Sequence, residues 1–326
     1  MTEVTQQAVK ADEDGVRLDK WFKLNFPGVP YGKLSKLLRT GQVRLDGKRC
    51  KPETRVEEGQ VVRVPPLGER NPAPGTAPKP KLNPEDVDYM KSMVLYEDDA
   101  IMALNKYPGL AVQGGTNTGR NVDDMLGALK GRGAKPKLVH RLDKDTSGVL
   151  LLARTTPAAR ELTAAFRGRD THKVYWALVK GVPNPRQGKI TLNIDKMPGK
   201  HGEKMIVTRD GKKSISLYTV IDVAGRNASW VALSPITGRT HQLRVHMAEI
   251  GHPIIGDGKY GGPEAFLGGL VSKKLHLHAR SIEVPHPDGG NFKVKAPLPE
   301  HMANTWREFG WRDSDAPEDP FEEDLY

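Results

Sequence analysis

The chain has 326 residues, with 50 Lys and Arg against 40 Asp and Glu, a net charge of +10 and one cysteine. That length predicts about two domains with ample core and excludes a small disulfide-stapled scaffold. Cys50 alone closes no internal disulfide and offers no thiol cluster for zinc or iron–sulfur ligation, a usage that suits a reducing compartment. The opening MTEVTQQAVKADEDG lacks the apolar stretch of a signal peptide, and no run approaches the roughly 18 apolar residues of a membrane span. The expectation is a soluble, cytoplasmic monomer without membrane association.

In chain order, residues 1–14 are expected to be disordered. Residues 15–64 form a small unit in which Leu18, Trp21 and Phe22, then Leu34, Leu37 and Leu38, mark the apolar faces of two short helices, the second stopped at Gly41. QVRLDGKRC then alternates around an Asp46-Gly47 turn, and GQVVRVP is a short β-branched run. Between Gly15 and Pro65 stand twelve Lys/Arg against five Asp/Glu, a density that suits a polyanion. Lys33, Lys36 and Arg39 lie away from the leucines of the second helix, and Arg44, Lys48, Arg49 and Lys51 fall on the hairpin. Two helices and a small sheet with a basic face resemble the S4-type RNA-binding domain, which implies RNA contact through Lys33, Lys36, Arg39, Arg44 and Lys48. The alternative for a basic helix face is plain solvation.

Residues 65–84 hold seven prolines and read as a semi-rigid linker. The large unit, residues 85–312, shows strand-like runs in SMVLYED, AIMALNK, GVLLLAR, HKVYWALVKG, KSISLYTVIDVA, ASWVALSPI and RSIEVPH. Helical patterns stand out in NVDDMLGALKG, TPAARELTAAFRG and THQLRVHMAEIG. Successive strands without regular helical crossovers predict an α+β domain with a mainly antiparallel mixed sheet, not a doubly wound parallel one. From Asp313 to Tyr326 there are seven acids and no Lys or Arg, a tail expected to be disordered.

Three motifs carry chemistry. His140-Arg141-Leu142-Asp143-Lys144-Asp145-Thr146-Ser147-Gly148 runs into an apolar strand, a place where a sheet holds a carboxylate in a cleft; an Asx turn explains the same residues blandly. In Gly238-Arg239-Thr240-His241-Gln242-Leu243-Arg244-Val245-His246, a helix would put His241 and Arg244 on one face, flanked by Gln242 and His246. Along Lys173-Val174-Tyr175-Trp176-Ala177, Lys173, Tyr175 and Ala177 face one way. Together, HRLDKDTSG, KVYWALVKG, GRTHQLRVH and LHLHARSIEVPHP behind an S4-like unit resemble the RluA-type family of pseudouridine synthases, within it the group acting on large-subunit ribosomal RNA. The resemblance implies Asp143 as catalytic nucleophile and Tyr175 stacked on the target base. It implies Arg244 paired with Asp143, Leu243 beside the substrate, and Arg141 filling the gap left by a flipped nucleotide. Breaking the N1 glycosidic bond and rejoining the base through C5 involves no redox change and no net water, so no cofactor is expected. Asn105-Lys106-Tyr107-Pro108-Gly109-Leu110-Ala111-Val112-Gln113 departs from the family's NKPxGxxVH, with proline one place later and Gln113 in place of His.

Other readings stay open on the residues. A noncatalytic RNA-binding assembly factor would need the basic unit but not the Asp143, Tyr175 and Arg244 set. Asp143 and Asp145 as a carboxylate pair would suit an N-glycosidase, and transfer RNA is the alternative substrate. His276 and His278 face one side of a strand but lack a third ligand, so packing or hydrogen bonding is preferred and no metal is expected. Trp21, Trp176 and Trp230 read as core. Lys204, Arg209, Lys212 and Lys213 flank a turn, as surface charge or as an RNA-backbone contact.

Overall fold

A computed structural model describes residues 4–67, 82–114, 119–131, 133–168, 170–198 and 204–321, and the chain divides into two compact units, residues 1–81 and 82–326.

The small unit contains β1 (Thr5–Ala8), α1 (Leu18–Asn25), α2 (Tyr31–Arg39), β2 (Arg44–Leu45), β3 (Lys48–Arg49) and β4 (Val61–Val64), with sheet order β1-β4-β2-β3. The leucine faces of both helices, with Trp21 and Phe22, close over Val43, Val56, Val62 and Val64. Asp46 and Gly47 both take positive φ, the hairpin-turn geometry that joins β2 to β3 with the strands' own twist. Residues 1–14 are not uniformly disordered. Thr5–Ala8 pairs antiparallel with Val61–Val64, and Glu13 accepts hydrogen bonds from the Lys10 amide, Trp21 Nε1 and Asn25 Nδ2. Burial opposes the charge on Glu13, yet these donors hold its pKa below the usual carboxylate value. A free edge on β4 and a buried indole needing an acceptor together recruit the terminus.

The large unit opens with α3 (Pro84–Lys91), β5 (Val94–Glu97), β6 (Ile101–Lys106), α4 (Val122–Met125), β7 (Lys137–Leu138), β8 (Ser147–Ala153) and α5 (Thr156–Gly168). It continues with β9 (His172–Lys180), β10 (Gln187–Met197), β11 (Lys204–Val207), β12 (Lys212–Ala224), β13 (Ala228–Pro235), α6 (Gln242–Glu249), β14 (Leu277–Pro285), β15 (Asn291–Lys295) and α7 (Glu300–Glu308). Eleven strands of the described residues form one sheet, ordered β11-β10-β12-β13-β9-β14-β8-β6-β5, with β15 on β14 and β7 on β8. All pairs are antiparallel except β14 with β8. At that junction Gly148 has φ +105, and a Cβ there would stand 2.2 Å from the Ala279 carbonyl oxygen, so the tight parallel approach requires glycine. Strands β8 and β13 are buried along their whole length, apolar cores that also bury Ser147, Ser229 and Ser234.

Three further elements bury only narrow stripes. β10 buries only Ile190 and Ile194 among polar neighbours, α3 buries only Met90, and α7 rests on Met302, Thr305 and Trp306. For α3 the signal is a cap: Asn83 accepts from the Asp86 amide, Asp86 reciprocates, and Pro84 opens the helix, an arrangement worth about 1 kcal/mol. Asn83 and Pro84 therefore belong to the large unit rather than to a linker, while residues 68–81 of that expected linker lie outside the described residues. The acidic tail is corrected in part. Phe321 is buried with Trp230, Trp306 and Trp311, Asp313 accepts from Arg280 at 2.7 Å, and residues 322–326 lie outside the described residues. Burial of the Phe321 side chain in this cluster, worth about 1.5–3 kcal/mol, outweighs the tail's charge.

Candidate active site

Asp143 sits on the turn that feeds β8, where the Thr146 amide donates to the Asp143 carbonyl at 3.2 Å. The turn is braced from below. Lys106, fully buried at the end of β6, donates from Nζ to the carbonyls of Tyr107, Leu110 and Lys144 at 2.9–3.0 Å. Burial draws its pKa down to about 7, against the pull of Asp145 and Asp143. The Gly109 amide adds a bond to the Lys144 carbonyl at 3.0 Å, so the Asn105–Gln113 segment that departs from the family pattern supports the aspartate turn through its backbone. His140 is structural. Its Nε2 accepts from the Leu151 amide at 2.8 Å, its ring stacks on Phe166, and burial, then Lys173, lowers its pKa to about 3.

The GRTHQLRVH segment divides into anchors and site groups. Gln242 is an anchor: Nε2 donates to the Ile215 carbonyl and Ser216 Oγ, and Oε1 accepts from Thr237 Oγ1 and the Arg239 amide. His246 bonds Ser214 Oγ at 2.7 Å and, neutral because burial lowers its pKa to about 4, ties α6 to β12. His241 precedes the helix in the left-handed conformation, φ +52, so it does not share a helical face with Arg244 as the spacing suggests.

Arg244 does not pair with Asp143. Its Nε and Nη2 donate to the two carboxylate oxygens of Asp257, both at 2.7 Å, and Asp257 is 1% exposed. The planar guanidinium satisfies the nearest carboxylate that presents both oxygens, a geometry the turn-borne Asp143 does not offer. Asp143 still favours the charged form of Arg244 through space. The nearest cationizable side chain recorded at Asp143 is His241, with Nε2 4.0 Å from Oδ2, and the Asp143 side chain is 25% exposed.

Asp143, Arg141, Leu243, Arg244, Tyr175 and His241 line one cleft of about 300 Å³. Tyr175, on β9, is held protonated because burial and then the Asp143 charge push its pKa up. Arg141 is exposed at the mouth, 3.4 Å from Thr240 Oγ1. Asp145 lines a different cavity of about 620 Å³, walled off by His241 and Arg244 and carrying Lys144, Lys259, Lys273 and Lys274. Asp145 is thus not among the residues that line the cleft with Asp143. All four ring nitrogens of His276 and His278 bond carbonyls or hydroxyls. Trp21, Trp176 and Trp230 are buried.

In the small unit Lys33, Lys36, Arg39, Arg44 and Lys48 are all exposed, and of these Lys33 donates to the Leu67 carbonyl at 2.6 Å and Arg44 to the carbonyls of Gly41 and Gly47. Asp257, Tyr260 and Lys106 were not singled out from the sequence. The signal for the first two is the GDGKYGG run, where an isolated aspartate and a tyrosine interrupt glycines.

The fold is shared with solved structures. Human RNA Pseudouridylate Synthase Domain Containing 4 matches with a TM-score of 0.58 at 26% identity, covering 69% of this chain and 95% of that one. Human RNA Pseudouridylate Synthase Domain Containing 1 matches with a TM-score of 0.54 at 28% identity, covering 64% and 86%. The α+β sheet with its cleft is thus the catalytic fold of an RNA pseudouridine synthase. A family model described as RNA pseudouridylate synthase matches residues 100–249. The chain is 38% identical over 303 residues to ribosomal large subunit pseudouridine synthase C of Escherichia coli K12, covering 90% of this chain and 93% of that one. It is 37% identical over 305 residues to the Haemophilus influenzae protein of that name, covering 92% and 93%. The chain belongs to the RluA-type family of pseudouridine synthases and is an isomerase that converts uridine in RNA to pseudouridine.

Proposed function

We propose that the enzyme modifies uridines of large-subunit ribosomal RNA, with Asp143 as nucleophile. The observation that carries the catalytic assignment is the contrast within the site: Asp257 is saturated by Arg244, while Asp143 opens into the cleft beside Tyr175 without a bonded cation. The substrate class rests on the names of the relatives, which match over nine-tenths of their length.

The target uridine leaves its stack at a cost of about a few kcal/mol. Arg141 at the mouth occupies the vacated space, and the neutral ring of Tyr175 offers the base a stacking face worth about 1–3 kcal/mol. With the Asp143 carboxylate as nucleophile, the N1–C1′ bond breaks, the base turns against Tyr175 and Leu243, the C5–C1′ bond forms, and the bond the carboxylate had made is broken to free it for the next turnover. The C5 proton leaves and N1 gains a proton, so the reaction is balanced without a cofactor. The lysine-lined cavity behind the His241 and Arg244 wall suits the phosphates of the flanking strand. The small unit acts as an S4-type RNA-binding domain through its exposed Lys36, Arg39 and Lys48, with Lys33 and Arg44 partly committed to backbone carbonyls. The protein works as a cytoplasmic monomer.

Tritium release from large-subunit ribosomal RNA labelled at uracil C5 tests this reading. Wild type releases tritium and Asp143→Asn does not, at unchanged RNA affinity. Release from transfer RNA alone overturns the substrate, and release by Asp143→Asn overturns the nucleophile.

A further inference from the structure

His241 is the residue of the site whose backbone is least comfortable. Among the described residues it shares a positive φ outside glycine with Asp46 alone, and Asp46 sits in a hairpin turn. A left-handed histidine persists where its surroundings over-determine it, and such strain clusters at working sites. Here Gln242 clamps the preceding loop to β12, and the His241 carbonyl accepts the Val245 amide at 3.0 Å to begin α6. The conformation turns the ring away from the helix and toward Tyr260, edge to face at 5.5 Å, with Nδ1 2.7 Å from the Tyr260 hydroxyl.

The other partner of that hydroxyl bears on the direction of the bond. The Met205 amide of β11 donates to the Tyr260 oxygen at 3.1 Å, and an amide cannot accept. With that amide donating to its oxygen, the phenol has its own proton to give to Nδ1, and this direction of the bond leaves the proton of a neutral imidazole on Nε2. Burial lowers the His241 pKa against the pull of Asp143, and Arg244 and Lys259 reinforce the neutral form. The N–H so placed stands 4.0 Å from Asp143 Oδ2, too long for a hydrogen bond in the free enzyme, in a site of the kind that tightens when substrate closes it.

We propose that His241 is a positioning residue for Asp143: Tyr260 holds it in the Nε2–H tautomer, and on RNA binding that N–H bonds Oδ2 and leaves Oδ1 directed at the nucleotide. The proposal builds on Asp143 as nucleophile. It adds a directed donor to the through-space pull of Arg244, whose Nε and Nη2 are bonded to Asp257. A neutral donor steers one oxygen without forming the full ion pair that would quench the carboxylate.

Two measurements test it. In single-turnover and steady-state assays on the RNA, His241→Phe lowers kcat about a hundredfold and Tyr260→Phe about tenfold, the scale of a misplaced reacting group. KM for RNA stays within about twofold in both, because the RNA surface is intact. His241→Gln, whose side-chain amide donates from near the Nε2 position, recovers most of the loss. Unchanged kcat in His241→Phe, a loss confined to KM, or no recovery with Gln overturns the role. Nitrogen NMR of the imidazole in the full-length protein decides the tautomer without any assay: wild type shows Nε2–H, and Tyr260→Phe a mixture. A wild-type Nδ1–H tautomer overturns the proposal even if a variant fails to fold. Retained turnover in Asp143→Asn would instead remove the nucleophile assignment and leave the tautomer result standing.

Discussion

Asp143 and Asp257 stand on either side of one wall, and their environments are opposites. Asp257 is almost completely buried, and both its oxygens are held at 2.7 Å by the Arg244 fork. Asp143 is a quarter exposed, rides on a turn braced from below by Lys106, and has its nearest recorded cationizable group 4.0 Å away. A carboxylate whose lone pairs are all engaged is a structural part. One that the fold positions by its backbone and leaves short of donors is available to react. The same wall lies between two cavities: a cleft on the Asp143 side, where Tyr175, Phe166 and Leu243 mix with Arg141, Lys173 and Arg239, and a lysine-rich chamber on the Asp257 side.

Exchanging the damage between the two aspartates breaks this contrast if it is wrong. Asp143→Asn is expected to lose turnover by more than about 10³-fold. Its melting temperature shifts by no more than a few degrees, as for other changes outside a packed core. Asp257→Ala leaves a buried, unpaired guanidinium, so it costs about 3–5 kcal/mol and lowers the melting temperature by about 10 °C. If Asp257→Ala were as stable as wild type, the division between a structural and a reactive carboxylate would fail. Tyr175→Leu removes the stacking face and lowers kcat/KM by about tenfold to a hundredfold. Equal activity would place the base elsewhere. The smallest effect sharpens the difference between the cavities. Lys273→Ala with Lys274→Ala weakens RNA binding across sequences and reduces the slope of log affinity against log salt by about 2, leaving kcat unchanged. An unaltered slope would show that the phosphates do not pass through the chamber.

Much of the fold is legible in the chain. The mainly apolar strands β8 and β13, the i, i+3, i+4 apolar faces of α1 and α2, and the TPAARELTAAFRG helix all match strong patterns. Weakly apolar elements were harder: β10 buries two isoleucines in eleven residues, and α3 is announced by its cap rather than by a stripe. Composition describes a segment by itself and so misses the order at the termini. Thr5–Ala8 is ordered by the open edge of β4, and Phe321 by a tryptophan cluster drawn from distant strands and helices.

At the site, sequence placed Asp143, Tyr175, Arg141, Leu243 and Arg244 near one another, and the structure gathers all five around one cleft. It did not say who bonds whom. The reaction class was set by residue types held at fixed spacing in two motifs, a property the chain carries before it folds. Which carboxylate Arg244 satisfies, which side of the wall Asp145 faces, and which way the His241 ring turns were decided only in three dimensions. Each depends on directional hydrogen bonds between segments remote in sequence, and on a left-handed residue whose conformation its neighbours impose.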